Sequence, residues 1–181
     1  MQVLGEEYDH LFKVVVVGVS EVGKTQLISR IAKDSFSEEY KPTVGVDFRP
    51  FMLSTMNAKV QLWDLSGQQK YQSITSAYYK SAAVAIFVYS VTDANSFACI
   101  PKLAEDFKTK IANSPNVCLL IGNKADLSAE LRKVTQAEAE ALALKLGMLS
   151  CEISAKTEDR EVILSKLKEA LEKFQLISES S

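Results

Sequence analysis

The sequence predicts an α/β fold: a six-stranded, mostly parallel β-sheet with one antiparallel edge hairpin strand and about five helices on its two faces. Three observations predict it. Short apolar runs such as 14–17 and 117–121 have the composition of strands that are buried on both faces. Segments with apolar residues at helical spacing alternate with these runs. Two further strands, joined by a short turn at 55–58, predict the hairpin.

The composition is typical of one soluble globular domain. The chain has 181 residues, 47% of them hydrophobic, and its net charge of −2 argues against nucleic-acid recognition through a basic surface. No apolar run approaches the ~20 residues that a bilayer-spanning helix needs, and the polar start of the chain does not resemble a secretory signal. The three cysteines lack metal-type spacing, so we expect them to be reduced in the cytoplasm. We assign residues 10–175 to the domain, 1–9 to an N-terminal extension and 176–181 to a short polar tail.

The first strand and the first helix are joined by a loop, 18–25, with the spacing G-x-x-x-x-G-K-[ST]. A helix N-terminus offers unpaired N–H groups and a positive dipole end, and glycines let the backbone approach an anion closely. Lys24 would reach the terminal phosphates of a nucleotide, and the Thr25 hydroxyl would bind Mg²⁺. The alternative is a strand-to-helix turn that binds nothing. The predicted phosphate-binding residues of this loop are Ser20, Glu21, Val22, Gly23, Lys24, Thr25 and Gln26.

The next connection is a long loop, 36–45, which contains charged residues, a proline and a glycine. Loops of this length in compact domains are often functional. The hairpin strands follow at 46–53 and 59–64. Pro50 places the first of them at an edge of the sheet, where a missing N–H costs no ladder hydrogen bond.

A D-x-x-G pattern, Asp64 to Gly67, ends the second hairpin strand. A carboxylate at this point can hold Mg²⁺ through water, and the Gly67 N–H can meet a γ-phosphate. Alone the pattern is weak, because such turns are common after strands. A polar segment, part helix and part loop, continues to Lys80.

The second half of the chain continues the alternation of strands and helices. A buried strand at 82–91 precedes a helix at 93–111, in which Pro101 predicts a late start or a kink near Phe97. Thr135 begins a capping box before an Ala/Leu-rich helix. That helix is predicted to end near Gly147. The remaining strands are predicted at 117–121 and 148–153. A last helix is predicted from about residue 158, and its apolar face carries Leu164, Leu167, Leu171 and Phe174.

The pattern Asn123-Lys124-x-Asp126 follows the strand at 117–121. Ligands of parallel α/β sheets bind at this end of the strands. A carboxylate can accept hydrogen bonds from both N1 and N2 of guanine, a donor pair that adenine lacks, so Asp126 would select the base. The alternative is a solvated turn.

With these motifs in this order, the chain resembles the small GTPases of the Ras superfamily, and within them the Rab family. The resemblance covers about residues 10–175, and its Rab-like stretches are 40–48, 59–64 and 77–80. It implies a P-loop NTPase fold, the Ras-like G domain, with GTP or GDP as the ligand and Mg²⁺ as the cofactor.

The resemblance also implies roles for single residues. Thr43 would complete the coordination of Mg²⁺ in the triphosphate state, and Gln68 would orient the attacking water, with Lys24 as the second catalytic residue. Phe36 would pack against the edge of guanine and Lys124 over its face. A backbone N–H of the loop 154–156 would read the guanine carbonyl, so the predicted guanine-binding residues are Phe36, Asn123, Lys124, Asp126, Ser154, Ala155 and Lys156.

A further implication is a surface for partner proteins. Phe48, Trp63 and Tyr78 look like the aromatic triad through which Rabs meet effectors, and the alternative is that they pack in the core and on the sheet face. The implied partners are an exchange factor, a GTPase-activating protein and effectors, and we expect a monomer that binds no nucleic acid. The predicted effector-binding residues are Val44, Gly45, Val46, Asp47, Phe48, Trp63 and Tyr78.

Several residues depart from the family pattern. Glu21 stands where the family has a small residue, and we expect its carboxylate to point into solvent. Leu65-Ser66 replaces the usual Thr-Ala, and Gln69 replaces a Glu that helps nucleotide exchange. The chain ends without the cysteines that carry prenyl groups in Rabs. It is therefore either a shortened or partial chain, or a Rab that reaches membranes by other means. We expect a cytoplasmic protein, peripheral on the cytosolic face of endomembranes if the full-length protein has a prenylated tail.

The main hypothesis is a GTP-binding switch that slowly hydrolyses GTP and regulates vesicle trafficking. No arginine is evident in cis, so an activating protein would supply one. A second hypothesis is a scaffold that holds nucleotide and hydrolyses none, because of Glu21 or Leu65-Ser66. An adenine-nucleotide kinase is a third, which the absence of an inserted acceptor site and lid argues against.

Overall fold

The structure is a computed structural model that describes residues 7–180. Its strands are β1 His10–Val17, β2 Val46–Leu53, β3 Ala58–Leu65, β4 Val84–Ser90, β5 Val117–Asn123 and β6 Leu149–Glu152. Its α-helices are α1 Lys24–Lys33, α2 Gln72–Thr75, α3 Ala94–Ala98, α4 Ile100–Ile111, α5 Gln136–Leu146 and α6 Arg160–Glu179.

The six strands form one sheet in the order β2-β3-β1-β4-β5-β6. All neighbouring pairs are parallel except β2 and β3, which form the predicted antiparallel hairpin. Strand β2 lies at the edge of the sheet, and Pro50 pairs in register with Gln61 there. The predicted fold class is confirmed, including the edge position of Pro50.

Each face of the sheet is covered by its own hydrophobic cluster. On one face, side chains of α1 and α6 pack against alternate residues of the strands, as Leu27, Leu167 and Val16 do. On the other face, α4 and α5 supply Phe107 and Ala139 to a second cluster. Because both faces are buried, the carboxyl ends of the parallel strands and their loops are the part of the sheet left open to a ligand.

The helix predicted at 93–111 is two helices. Helix α3 ends at Ala98 and α4 begins at Ile100, with Cys99 between them. Pro101 is the second residue of α4, a position whose N–H needs no partner within the helix, so proline fits there without strain. The chain thus breaks two residues after the predicted kink at Phe97, because the proline is accommodated by starting a new helix.

The ends of the other helices agree closely with the sequence. Thr135 and Glu138 form the predicted capping box, and Gly147 ends α5 in the left-handed conformation. Helix α6 starts after Asp159 and continues to Glu179, into the segment 176–181 that the sequence predicts as a polar tail. Of the predicted extension 1–9, residues 1–6 lie outside the described residues, as does residue 181.

Within residues 7–180, no helix is both long enough and apolar enough to cross a membrane.

Candidate functional site

Loops at the carboxyl ends of β1, β5 and β6, together with the long loop 36–45, enclose a cleft of about 240 Å³. A smaller recess of about 50 Å³ adjoins it and shares part of its wall. The cleft brings together loops from distant parts of the chain, with lining residues that include Gly23, Phe36, Asn123, Asp126, Ala155 and Lys156. The recess is lined by residues that include Ser20, Lys24, Thr25, Thr43, Gly67 and Gln68.

The loop between β1 and α1 forms the floor of the recess. Lys24 is the first residue of α1, and its side chain folds back so that Nζ donates to the Val19 carbonyl at 2.8 Å. The residue is only 6% exposed. Burial lowers the pKa of Lys24 to about 8, and the charge of Asp64 opposes that shift. The ammonium is thus held against the loop, where its charge is weakly screened.

Gly67 closes the recess from the side of β3. A Cβ at this position would collide with the backbone of Val19 and Ser20, so no side chain fits between the two loops. The D-x-x-G turn and the glycine-rich loop therefore approach each other backbone to backbone, and this arrangement keeps main-chain groups at the surface of the recess.

Three oxygen-bearing side chains meet beside Lys24. Thr25 Oγ1 lies 2.9 Å from Thr43 Oγ1, and both hydroxyls are hydrogen-bonded to Asp64 Oδ2. Burial raises the pKa of Asp64, while the hydrogen bond from Thr25 and the charge of Lys24 act in the opposite direction. Asp64 is 1% exposed, and its Oδ1 has no hydrogen-bond partner among the described residues.

This cluster fits the chemistry of Mg²⁺. The ion prefers oxygen ligands, and a buried carboxylate oxygen without a protein partner would gain one from the ion or from its water shell. Thr25, Thr43 and Asp64 are the residues that would hold it.

Gln68 lies in the wall of the recess, at the start of the polar segment after β3. Its N–H donates to Ser66 Oγ at 3.3 Å. Ser66 and its neighbour Leu65 are two of the residues that depart from the family pattern, and Leu65 is buried in the core. Leu65 thus adds an apolar side chain to the core, and the Ser66 hydroxyl accepts a hydrogen bond from the backbone of Gln68.

Asn123 joins three loops at the other end of the cleft. Its Nδ2 donates to the Val22 carbonyl at 2.9 Å, and its Oδ1 accepts from the Ala155 N–H at 3.0 Å. Lys124 extends from the same loop, and its Nζ donates to the Glu21 carbonyl at 2.7 Å. Asp126 is exposed at the rim. The residues predicted to read a base are therefore brought to one wall of the cleft.

The loop 154–156 is shaped by its own serine. Ser154 is buried, and its Oγ accepts from the N–H groups of Lys156 and Thr157 at 3.1 and 3.0 Å. The loop lies beside Phe36, which lines the same cleft and packs partly against the core.

Two contacts join the first residues of the long loop 36–45 to the walls of the cleft. The Ser37 N–H donates to Gln26 Oε1 at 2.8 Å, and Lys156 Nζ lies 2.7 Å from Glu38 Oε1. Hydrogen bonding between them raises the pKa of Lys156 and lowers that of Glu38. Gln26, predicted to bind phosphate, thus places its side chain against the loop.

Sequence reasoning missed Arg30. This residue of α1 donates from Nε to the Ala155 carbonyl at 3.0 Å and from Nη2 to the Lys156 carbonyl at 2.8 Å. It supports the loop 154–156 from below. No local signal predicts this contact, because the partners lie more than a hundred residues apart in sequence.

Glu21 is exposed, as the sequence predicts, and lies at the mouth of both the cleft and the recess. Its backbone is left-handed, with a φ of 69°. The Cβ of any residue other than glycine is strained in that conformation, so only a glycine at this position would relieve the strain.

Comparison with known proteins identifies the family. The family model described as Ras family matches residues 13–173, which is most of the chain.

The chain belongs to the Ras family.

Within the Ras family the chain is a Rab-like small GTPase. It is 43% identical over 152 residues to Ras-related protein RABA2a of Arabidopsis thaliana, a stretch that covers 83% of this chain and 69% of the relative. It is 41% identical over 156 residues to Ras-related protein Rab-13 of Mesocricetus auratus, with 85% and 76% covered. It is also 41% identical over 152 residues to GTP-binding protein ypt3 of Schizosaccharomyces pombe, with 83% and 70% covered.

The aromatic residues of this Rab-like GTPase form a continuous surface next to the site. The rings of Phe48 and Trp63 are 4.8 Å apart, and those of Trp63 and Tyr78 are 5.2 Å apart. Phe48 is 41% exposed, while Trp63 and Tyr78 are partly buried against the core. Val44, in the adjacent loop, is 71% exposed. Part of the predicted effector surface therefore packs on the sheet, and part faces solvent.

Proposed function

We propose that this chain is a GTP-binding switch that binds GTP or GDP with Mg²⁺, hydrolyses GTP slowly to GDP and phosphate, and regulates vesicle trafficking. The observation that carries the proposal is the cleft with its adjoining recess. One wall has the side chains suited to guanine, and the recess has the buried ammonium, main-chain groups and hydroxyls suited to polyphosphate. A guanine nucleotide has these two ends in this order.

The guanine end of the proposal rests on Asp126 and the loop 154–156. The Asp126 carboxylate is exposed at the rim, where it can accept from N1 and N2 of the base. The phosphate end rests on N–H groups of the loop 20–25, on Lys24 and on the backbone of Gly67.

Thr25, Thr43 and Asp64 would hold Mg²⁺, Asp64 through water. When bound, the ion supplies positive charge that offsets the charge of the phosphate oxygens.

The chain's own residues account for slow hydrolysis. Gln68 is held at the recess by the hydrogen bond from its N–H to Ser66, and its side-chain amide would orient a water molecule for in-line attack on the γ-phosphate. Lys24 would stabilise charge on the transferred group. Among the described residues that line the cleft and the recess, none is an arginine. An activating protein would supply an arginine to stabilise the developing charge, and the reaction would be slow without that protein.

The catalytic role of Gln68 can be tested by substitution. Gln68→Leu should lower the single-turnover rate of phosphate release from GTP-loaded protein by about tenfold or more, because the water loses its orienting amide. GTP affinity should stay within a few fold, since Gln68 lies outside the base-binding wall. Release of labelled phosphate and fluorescent-nucleotide titration measure the two quantities.

Gln69→Leu is the matched control, since Gln69 is an exposed neighbour of the same chemistry. An unchanged rate in Gln68→Leu would show that Gln68 has no catalytic role. If the unmodified protein binds GTP but releases no phosphate in a single turnover, it is the non-hydrolysing scaffold instead.

A competition of GTP against ATP tests the base preference, and equal retention of both would contradict the role of Asp126.

The switch itself would lie in the loop 36–45 and the segment 67–80. Both border the recess and the aromatic surface of Phe48, Trp63 and Tyr78. We expect them to order around a γ-phosphate and relax after hydrolysis, so that effectors bind the triphosphate form. An exchange factor and an activating protein would complete the cycle. The protein would act as a monomer, peripheral on the cytosolic face of endomembranes if the full-length protein has a prenylated tail.

A further inference from the structure

Arg132 and Glu152 form an ion pair behind the base-binding wall. Arg132 Nη1 and Nη2 donate to the two carboxylate oxygens of Glu152 at 2.8 and 2.9 Å, and Nη1 also donates to the Val134 carbonyl at 3.0 Å. The side chains are 30% and 15% exposed, which is less than in the ion pairs on the surface of α6. A bidentate, partly buried pair defines geometry far more strictly than an exposed pair does.

The two residues adjoin the two loops that face guanine in the proposed complex. Arg132 ends the turn that follows Asp126, and the chain is anchored there because the N–H groups of Lys133 and Val134 donate to the Val91 carbonyl. Glu152 is the last residue of β6, two positions before Ser154. The ion pair therefore ties the segment after Asp126 to the end of β6 just before the 154–156 loop, and neither of its residues lines the cleft.

Glu152 lies beside Tyr89 and Gly122. Tyr89 is fully buried, its hydroxyl has no hydrogen-bond partner among the described residues, and it shares with Glu152 a cavity of about 40 Å³. A cavity of this size admits a water molecule that could join the two groups. A Cβ at Gly122 would collide with the Tyr89 hydroxyl and press on Glu152, so the backbone just before Asn123 is packed directly against this assembly.

Burial and the charge of Glu152 raise the pKa of Tyr89, so the phenol stays protonated and can donate. The Glu152 carboxylate raises the pKa of Arg132, so the guanidinium stays charged.

We propose that Arg132 and Glu152 are positioning residues for purine recognition: they touch no nucleotide, but they set the distance between Asp126 and the loop 154–156. This inference rests on the proposed binding of guanine nucleotides in the cleft. Loss of the pair would let the two loops separate. Asp126 would then hold the exocyclic amine of guanine less well, while the phosphate end, held by the loop 20–25, would be unaffected.

The test compares GDP with inosine diphosphate, which lacks that amine. Arg132→Gln should weaken GDP binding by about tenfold and inosine diphosphate binding by much less, so the preference for guanine falls. The ratio of GTP to GDP affinity should not change. Glu152→Gln should lower the preference for guanine by a similar factor. The double variant should lose no more of this preference than either single variant, because the two side chains act as a unit.

Lys168→Gln is the control, since it breaks an exposed ion pair with Glu172 on α6. Arg132→Lys keeps the charge but only one hydrogen bond, and it should lose an intermediate share of the preference, which gives a second readout if Arg132→Gln folds poorly. A purely structural pair would lower the melting temperature without changing the guanosine-to-inosine preference, and that result would overturn the inference. If the unmodified protein fails to bind GDP at all, the proposed function fails instead.

Discussion

At the scale of single residues, the least ordinary group is the ammonium of Lys24. Its charge is buried beside the loop 18–25, and burial lowers its pKa from 10.5 to about 8. The folded protein therefore binds this proton less tightly than the unfolded chain does. Such a lysine lowers the free energy of unfolding below pH 8. This destabilisation decreases as the pH rises from 8 towards 10.5. Such a cost is the expected consequence of a site prepared for an anionic ligand.

Lys24→Met should therefore stabilise the protein in the absence of nucleotide. We expect the free energy of unfolding at pH 7 to rise by about 2 kcal/mol, and the difference from the unmodified protein to shrink as the pH approaches 10. Chemical denaturation at pH 7, 8.5 and 10 without nucleotide measures it. Nucleotide binding should be lost in the same variant.

Lys33→Met is the control for this experiment, because Lys33 lies exposed in the last turn of α1. It should show no comparable pH dependence between 8 and 10. A difference between Lys24→Met and the unmodified protein that is equal at all three pH values would contradict the buried, weakly basic Lys24.

At the scale of elements, helix ends in this chain agree with their local sequence. Thr135 and Glu138 satisfy each other's backbone N–H groups at the start of α5. Asp159 and Asp93 cap α6 and α3 with their own carboxylates, which accept from N–H groups of the first turn. Helix α5 has few buried side chains, chiefly Ala139 and Ala143, so its capping contributes a larger share of its stability than in α4.

Thr135→Ala should lower the free energy of unfolding by about 1 kcal/mol, because the N–H of Glu138 loses its acceptor. Thr109→Ala is the matched control. Thr109 is exposed within α4 and its hydroxyl bonds back to the Glu105 carbonyl, so alanine there should be neutral or slightly stabilising. Urea denaturation of the three proteins measures both effects. Equal stabilities for the two variants would show that the capping box contributes nothing.

At the scale of the whole molecule, Asn123 is the junction of the site. It is 2% exposed, and its amide joins the loop after β1, the loop after β5 and the loop after β6. Val22 and Ala155, its two partners, are themselves buried. One side chain therefore links the three loops, and it couples the recess proposed for phosphate to the wall of the cleft proposed for the base.

Asn123→Ala should lower the free energy of unfolding by about 2–3 kcal/mol, because a buried N–H and a buried carbonyl lose their partners at once. Retention of GDP on gel filtration should also be lost. Asn116→Ala is the control, since the Asn116 side-chain amide donates to Ser114 at the surface. A variant at 123 that is as stable as the one at 116 would mean that the loops are held together by other contacts.

The order and type of the elements, and the position of the glycine-rich loop, follow from the sequence by itself. The alternation of apolar runs with helical spacing is a local property, and so are the capping box at Thr135 and the edge position of Pro50. Membership of the Ras family also follows from motifs that are short and contiguous. These features can be predicted from the sequence because each is determined by neighbours within a few residues along the chain.

Only the tertiary structure decided how the loops are held together. The contacts of Arg30 with the loop 154–156, of Asn123 with Val22, and of Arg132 with Glu152 join residues that are between 20 and 126 positions apart. The break at Cys99, two residues after the predicted kink, has the same origin, because proline admits more than one helix start and packing selects among them. A side chain's distant partner leaves no periodicity or spacing in the sequence, since it depends on where the whole sheet brings the loop ends.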